Sequence, residues 1–391
     1  MAGEAGTVGA SRALLAQAAE AKPETTPVPT SRFWRSAAGF WLGPGSSGAR
    51  LLTAGLIGAT ILQLALQYRL NFWSRDFFDA FGRRDSSALW SQAALFLLLA
   101  GLSVVTAALL VWARMTTQRR WRAWLTRQLL ERWLSAPHLH DLHFQKGEDE
   151  NPEYRIAEDA RVATDSPVNL VAGLLTALLS AIIFISVLWN VGGDLDLEVY
   201  GHTLTVPKYL VITVVLYSAL LTITMTVIGR NLTNVIEGKN AAEAQFRSIA
   251  SHLREATTST PPRNSDSADR QPLDTAFNVV IARWRSLCFQ LMRTTLVSHG
   301  NFLAAPIIGW VLCAPKYLVG TMSLGEVAQA VAAFVIVQTA LNWLVDNYAA
   351  MAECLSSVNR VAALLMALED TDYHAKPSVE VGQENQRRIV G

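Results

Sequence analysis

The chain reads as an all-α integral membrane protein with six transmembrane helices extended into the cytoplasm, and three observations predict this. Its 391 residues are 51% hydrophobic and only 17% charged, with a positive mean hydropathy, a balance suited to lipid rather than water. Six apolar stretches each approach the roughly 20 residues that a helix rising about 1.5 Å per residue needs to cross about 30 Å of hydrocarbon. The alternating ten-residue pattern of a barrel strand does not occur, and an open sheet cannot satisfy its backbone in lipid.

Residues 1–34 are rich in Ala, Thr and Pro and lack the uninterrupted apolar core of a signal peptide, so a disordered cytoplasmic tail is expected, with the first span as the targeting element. The spans are expected at 51–68, 89–112, 168–189, 209–228, 294–314 and 324–350 within a membrane domain over 35–370, followed by a polar tail over 371–391. Segment 115–134 sets Trp121, Trp124, Leu125, Leu129 and Trp133 at helical spacings among arginines, and Pro137 ends it. Two readings stand, a basic helix on the membrane surface or a helix packed inside an intracellular bundle. Segment 260–272, TPPRNSDSADRQP, is polar and broken by Pro, and reads as a loose hairpin.

Basic residues near the span ends set the orientation. Arg114, Arg119, Arg120, Arg122, Arg127 and Arg132 follow the second span. Arg230, Lys239, Arg247 and Arg254 follow the fourth, and Arg283, Arg285 and Arg293 lead into the fifth. The third-to-fourth connection carries Asp194, Asp196 and Glu198 against Lys208, and the fifth-to-sixth only Lys316, so these face outward and both termini lie in the cytoplasm. Arg69, Arg75, Arg83 and Arg84 in the first connection fit an external position poorly.

The formal net charge of +1 gives no ground for a nucleic-acid partner. Cys288, Cys313 and Cys354 form no metal-ligand spacing and read as unpaired thiols. No G-x-x-x-x-G-K-[ST], H-E-x-x-H, G-x-S-x-G or C-x-x-C occurs, so the chain offers no recognisable nucleotide, hydrolase or redox site and no catalytic residue is assigned. His138, Asp141, His140 and His143 make a chemically plausible zinc set, but their spacing matches no ordered site, and no metal is expected. Polar groups inside spans are costly unless they face protein or water. His299 and Asn301 sit near Gly300, Pro306 and Gly309 in the fifth span; Gln338, Asn342 and Asp346 recur every fourth residue in the sixth. They read either as the lining of a substrate cavity or as helix-to-helix hydrogen bonding. Glu326 and Gln329 lie near the outer end of the sixth span.

Three stretches, RWRAWLTRQLLERWL (120–134), NPEYRIAEDARVATDSP (151–167) and the run from Ala314 to Glu353, resemble one family. It is the transmembrane half of ABC transporters of the YddA and BacA-like type, kin to the SbmA/BacA peptide transporters and more distantly to the peroxisomal acyl-CoA half-transporters. The resemblance covers roughly residues 35–370. It implies an exporter-like (type 1) fold working as a homodimer in a bacterial inner membrane, with alternating access to a cavity between the halves. It also implies that Asn151, Arg155, Glu158 and Asp159 in the first inner loop, and Glu243, Phe246, Arg247, Arg254 and Glu255 in the second, couple to an ATPase. Two departures from the family stand out: TTSTPPRNSDSADRQ replaces the usual apolar bend after Glu255, and no ATPase domain follows the sixth helix. The expectation is therefore a permease moving peptides or other amphipathic solutes, holding no cofactor itself, with ATP and Mg on a partner subunit in trans. The alternatives are a proton-driven SbmA/BacA-like importer relaying protons through Glu326, Asp346 and His299, or a membrane scaffold that transports nothing.

Overall fold

The computed structural model describes residues 30–43, 45–135, 152–199, 202–259 and 270–375. Nearly all of it is helical. Helix α1 covers Ser31–Leu42, α2 Ser47–Gly82 and α3 Ser86–Ser135. A single turn at Pro152–Tyr154 and a π-helical turn at Arg155–Asp159 lead into α4, Ala160–Gly192. Strands β1 (Leu195–Val199) and β2 (His202–Val206) precede α5, Tyr209–Gly229. Helices α6 (Leu232–Ser259), α7 (Arg270–Leu318), α8 (Leu324–Asp346) and α9 (Tyr348–Ala375) complete the order. Six helical segments are long and apolar enough to cross a membrane, and each contains one of the expected spans.

The helices outrun those spans, because polar sequence beyond the apolar stretch still carries good helix formers and no breaker. Helix α3 runs for 50 residues and α7 for 49. Several expected boundaries are corrected as a result. The tail expected over 1–34 gives way to helix at Ser31, since Phe33 and Phe40 have a buried face to fill. Helix α9 continues to Ala375, into the expected C-terminal tail over 371–391, and residues 376–391 lie outside the described residues. Residues 270–272 of the expected hairpin form the first turn of α7, where Pro272 forfeits no intrahelical hydrogen bond. The sixth span breaks at Asn347 rather than running to 350. The histidines at 138, 140 and 143 lie outside the described residues, and no metal-holding group of three ligands occurs among the described residues.

The chain divides into two compact units. The first takes in Met1–Leu52, Met115–Val168 and Met351–Gly391. There α1 lays Phe33 and Phe40 against Trp121, each with ring centroids 6.5 Å away, and Trp41 meets the same indole at 5.0 Å. Trp121, Leu125 and Leu129, one turn apart, are buried, so segment 115–134 packs within a helical bundle, as the second of its two readings expects. Gly39 lets Trp124 approach: a Cβ there would lie 3.1 Å from its ring.

The second unit takes in Thr53–Arg114 and Asn169–Ala350. Its core gathers Phe184 and Leu188 of α4, Leu210 and Val214 of α5, and Phe334 and Val337 of α8. The hairpin pairs Leu195 with Val206 through to Val199 with His202. Lys208, left-handed at φ 48°, closes it by donating its N–H to Asp194 Oδ1 at 3.2 Å. Neither strand was expected from sequence, although LDLEV and HTLTV alternate apolar and polar residues with period two.

One seam, between α2 and α8, is polar. Asp79 Oδ1 accepts the Gly325 N–H at 2.9 Å at the start of α8, and Arg75 Nη2 donates to Glu326 Oε1 at 3.0 Å. Ser323 and Glu326 form a reciprocal capping box. Farther along, Asn71 Nδ2 donates to the Gln329 carbonyl at 3.1 Å. Arg69 pairs with Asp76 at 3.7 Å. Arg69 and Arg75, two of the four arginines that fit an external first connection poorly, therefore lie on helix α2 and are each matched by a carboxylate.

Candidate functional site

Helices α5, α7 and α8 enclose a cavity of about 170 Å³. Asn301, Gln338, Asn342 and Asp346, four of the five residues expected from sequence, line it. The i, i+4 spacing of the three on α8 puts them on one face, as the period requires. Tyr217 donates its hydroxyl to Asn301 Oδ1 at 2.9 Å, and Thr222 donates to Asn342 Oδ1 at 3.1 Å, so α5 fixes both amides. Each amide keeps its NH₂ for a further acceptor. His299 does not line the cavity. Two residues from Asn301, it points about 200° around the helix, and it is exposed beside Phe302. Ser298, Thr222 and Thr339, which carried no sequence signal beyond being hydroxyls in spans, complete the polar wall.

The proposed proton-relay residues are not brought together. Glu326 is committed to Arg75 and the Ser323 cap at one end of α8, and Asp346 ends the same helix 20 residues, about 30 Å, away. His299 faces elsewhere.

On the opposite side of α8, helices α2, α3, α4 and α8 surround a larger cavity of about 600 Å³, which sequence reasoning missed. Thr339 borders both cavities. Trp343 closes part of the wall against Gly173, where a Cβ would fall 2.8 Å from the indole Nε1. Its lining comes from four distant stretches, so no local motif announces it.

The expected coupling residues separate into two settings. In the first unit the π-helical turn, whose hydrogen bonds span one residue more than those of an α-helix, holds Arg155, Ile156 and Asp159 buried. Arg360 of α9 grips Asp159: Nε lies 2.9 Å from both carboxylate oxygens, and Nη2 2.7 Å from Oδ1. Arg360 also donates to Ser356 and Ser357. Neither Arg360 nor these serines was expected. Glu158 pairs with Arg161 at 2.5 Å, and hydrogen bonds from that guanidinium hold its carboxyl below the usual glutamate range. Asn151 lies outside the described residues.

In the second unit α6 packs along α7. Glu243 accepts from Trp284 Nε1 at 3.0 Å and pairs with Lys239 at 3.3 Å, while Phe246 meets Phe277 at 5.7 Å. These two side chains tie α6 to α7. Arg247 and Arg254 are exposed, and Glu255 lies in the last turns of α6.

Comparison with known proteins accords with this architecture. The family model for the ABC transporter transmembrane region 2 matches residues 42–318. The inner membrane ABC transporter ATP-binding protein YddA of Escherichia coli is 26% identical over 325 residues, covering 82% of this chain and 58% of that protein. The chloroplastic ABC transporter D family member 2 of Arabidopsis thaliana is 23% identical over 341 residues, covering 87% and 45%. An uncharacterized ABC transporter ATP-binding protein of Haemophilus influenzae is 22% identical over 312 residues, covering 80% and 52%. The chain spans about half the length of these curated relatives. With six apolar helices in the order such a domain requires and a family match over most of its length, the chain belongs to the ABC transporter transmembrane region 2 family.

Proposed function

We propose that this chain is the permease part of an ABC-type transporter that moves peptides or other amphipathic solutes across a bacterial inner membrane. It works as a homodimer with both termini in the cytoplasm, and ATP with Mg is hydrolysed on a partner subunit. The family match over 42–318 carries this reading, and the relatives' names, which include ATP binding, support the energy source. The arginine-rich extensions of α3 and the α6–α7 pair support a cytoplasmic side for the two long connections. The cavity of amides, hydroxyls and one carboxylate suits hydrogen bonding to peptide groups within an otherwise apolar bundle. The Asp159–Arg360 clamp and the α6–α7 pair supply the stiff elements that a nucleotide-binding partner would push.

The test is uptake or efflux of a labelled peptide by cells carrying the chain together with its ATPase partner. Loss of transport on ATP depletion, and survival in a protonophore, supports the proposal. Transport that survives ATP depletion and collapses with the protonophore overturns ATP coupling in favour of a proton-driven SbmA/BacA-like importer. No transport of any peptide by a well-folded dimer leaves the scaffold reading.

A further inference from the structure

The larger cavity carries chemistry distinct from the smaller one. Arg114 is its single charged lining residue, and no carboxylate lines it. The guanidinium is partly buried and makes no ion pair among the described residues. Its guanidinium therefore sets a positive charge at this wall, with no carboxylate beside it in the lining.

The remaining surface is mixed. Gln63, Gln67, Thr60, Thr176 and Ser180 offer amides and hydroxyls, and Leu56, Val335 and Ile336 supply apolar walls. Amides, hydroxyls and a guanidinium directed at lipid tails would be costly, which argues for a solute-facing surface. Along α2 the lining runs from Leu56 to Gln67, about 16 Å at the helical rise. Arg114 sits just beyond the second apolar stretch, and Leu56, Gly173 and Trp343 come from the same ends of their spans. Ser180, Val335 and Gln67 come from deeper in the bundle. A volume of about 600 Å³ is that of a pocket for a molecule of some tens of heavy atoms.

We infer that this cavity binds an amphipathic anion, its acidic head on Arg114 and its apolar body along α2 and α8 towards Gln63 and Val335. The guanidinium fork donates in bidentate fashion to a carboxylate, phosphate or sulfonate, and the absence of any acid in the lining disfavours a cationic head. The inference deepens the transport reading by naming the charge of the solute. Its test measures binding alone, so failure here leaves ATP-coupled transport standing, and failure of transport leaves the binding result standing.

The probes are a matched pair of water-soluble dyes, dansylglycine and dansylcadaverine, which carry one fluorophore with a carboxylate or an amine. Binding to the full chain in phosphatidylcholine nanodiscs is followed by dansyl emission and by energy transfer from tryptophan. The wild type is expected to bind dansylglycine about tenfold more tightly than dansylcadaverine, the factor of one charge-assisted contact. Arg114→Gln removes that preference, and Arg114→Lys keeps much of it. Ala340→Trp, which fills the cavity, weakens both dyes and supports the location even if Arg114→Gln folds poorly. Equal binding of the two dyes by the wild type, or a preference that survives Arg114→Gln in a monodisperse protein, overturns the inference. Adding phosphatidylglycerol to the discs identifies the source of the anion. Weaker dansylglycine binding assigns the site to an anionic lipid head, and unchanged binding assigns it to a soluble solute.

Discussion

Removing the Arg360 side chain tests how the first inner loop is held. Asp159 has only 2% of its side chain exposed, and Arg360 meets both of its oxygens at 2.7–2.9 Å. Arg360→Ala therefore leaves a buried carboxylate without its cation. Breaking a fully buried pair in this way costs about 3–5 kcal/mol. Arg360 is itself 42% exposed, so water screens part of the interaction, and about 2–3 kcal/mol is the expected loss. Asp159→Ala removes the buried charge as well as the contact, and is expected to cost less than Arg360→Ala. The double variant should lie close to Asp159→Ala, because the ion pair is already gone and what Arg360 still offers is local hydrogen bonding to Ser356 and Ser357 within one turn. Unfolding in mixed micelles across this cycle gives the coupling directly, and hydrogen exchange at 155–160 reports the π-helical turn alone. Additivity of the two single changes within about 0.5 kcal/mol would refute the clamp. So would unchanged exchange protection of the turn in Arg360→Ala.

Other consequences are as direct. Gly325→Ala drives a Cβ onto the Arg75 carbonyl and the Asp79 carboxylate, and should cost about 1–3 kcal/mol in the same unfolding assay, whereas alanine at the open Gly300 should be nearly neutral. Gly173→Ala pushes the Trp343 indole off α4; a shift in tryptophan emission that Trp343→Phe abolishes is the expected readout. The Glu158 carboxyl is held low by Arg161, so its contribution is present above the unfolded glutamate value near 4.5 and fades as pH falls through the lower folded value. With the side chain 42% exposed the effect is small, and Glu158→Gln should flatten the acid limb of the stability profile only slightly.

The spans were legible because apolar length is a one-dimensional property. Leu51 to Tyr68 or Tyr209 to Ile228 can be read without knowing any neighbour. The face shared by Gln338, Asn342 and Asp346 was equally legible, since it depends only on the helical period. His299 was misplaced because proximity along the chain to Asn301 is not proximity around a helix. The larger cavity, the Arg360 partner 201 residues from Asp159, and the Arg75–Glu326 pair 251 residues apart depend on tertiary contact and left no periodic trace. The Ser323-x-x-Glu326 cap and the alternating hairpin did leave one, and a search for capping boxes and period-two runs would have found both.

Helix α7 holds Asn301 of the smaller cavity just past its midpoint and Arg270 at its start, with Pro306 between Asn301 and Leu318. Asn301 lies five residues from that proline, about 7.5 Å, and Arg270 thirty-six residues away, about 54 Å. A rotation of about 10° pivoting at Pro306, where the helix lacks a backbone hydrogen bond, carries Arg270 through about 9 Å and Asn301 through little more than 1 Å. The helix is thus a reduction gear. In the proposed transport cycle, a broad stroke at its polar end becomes a movement of little more than 1 Å at Asn301, with a roughly sevenfold mechanical advantage.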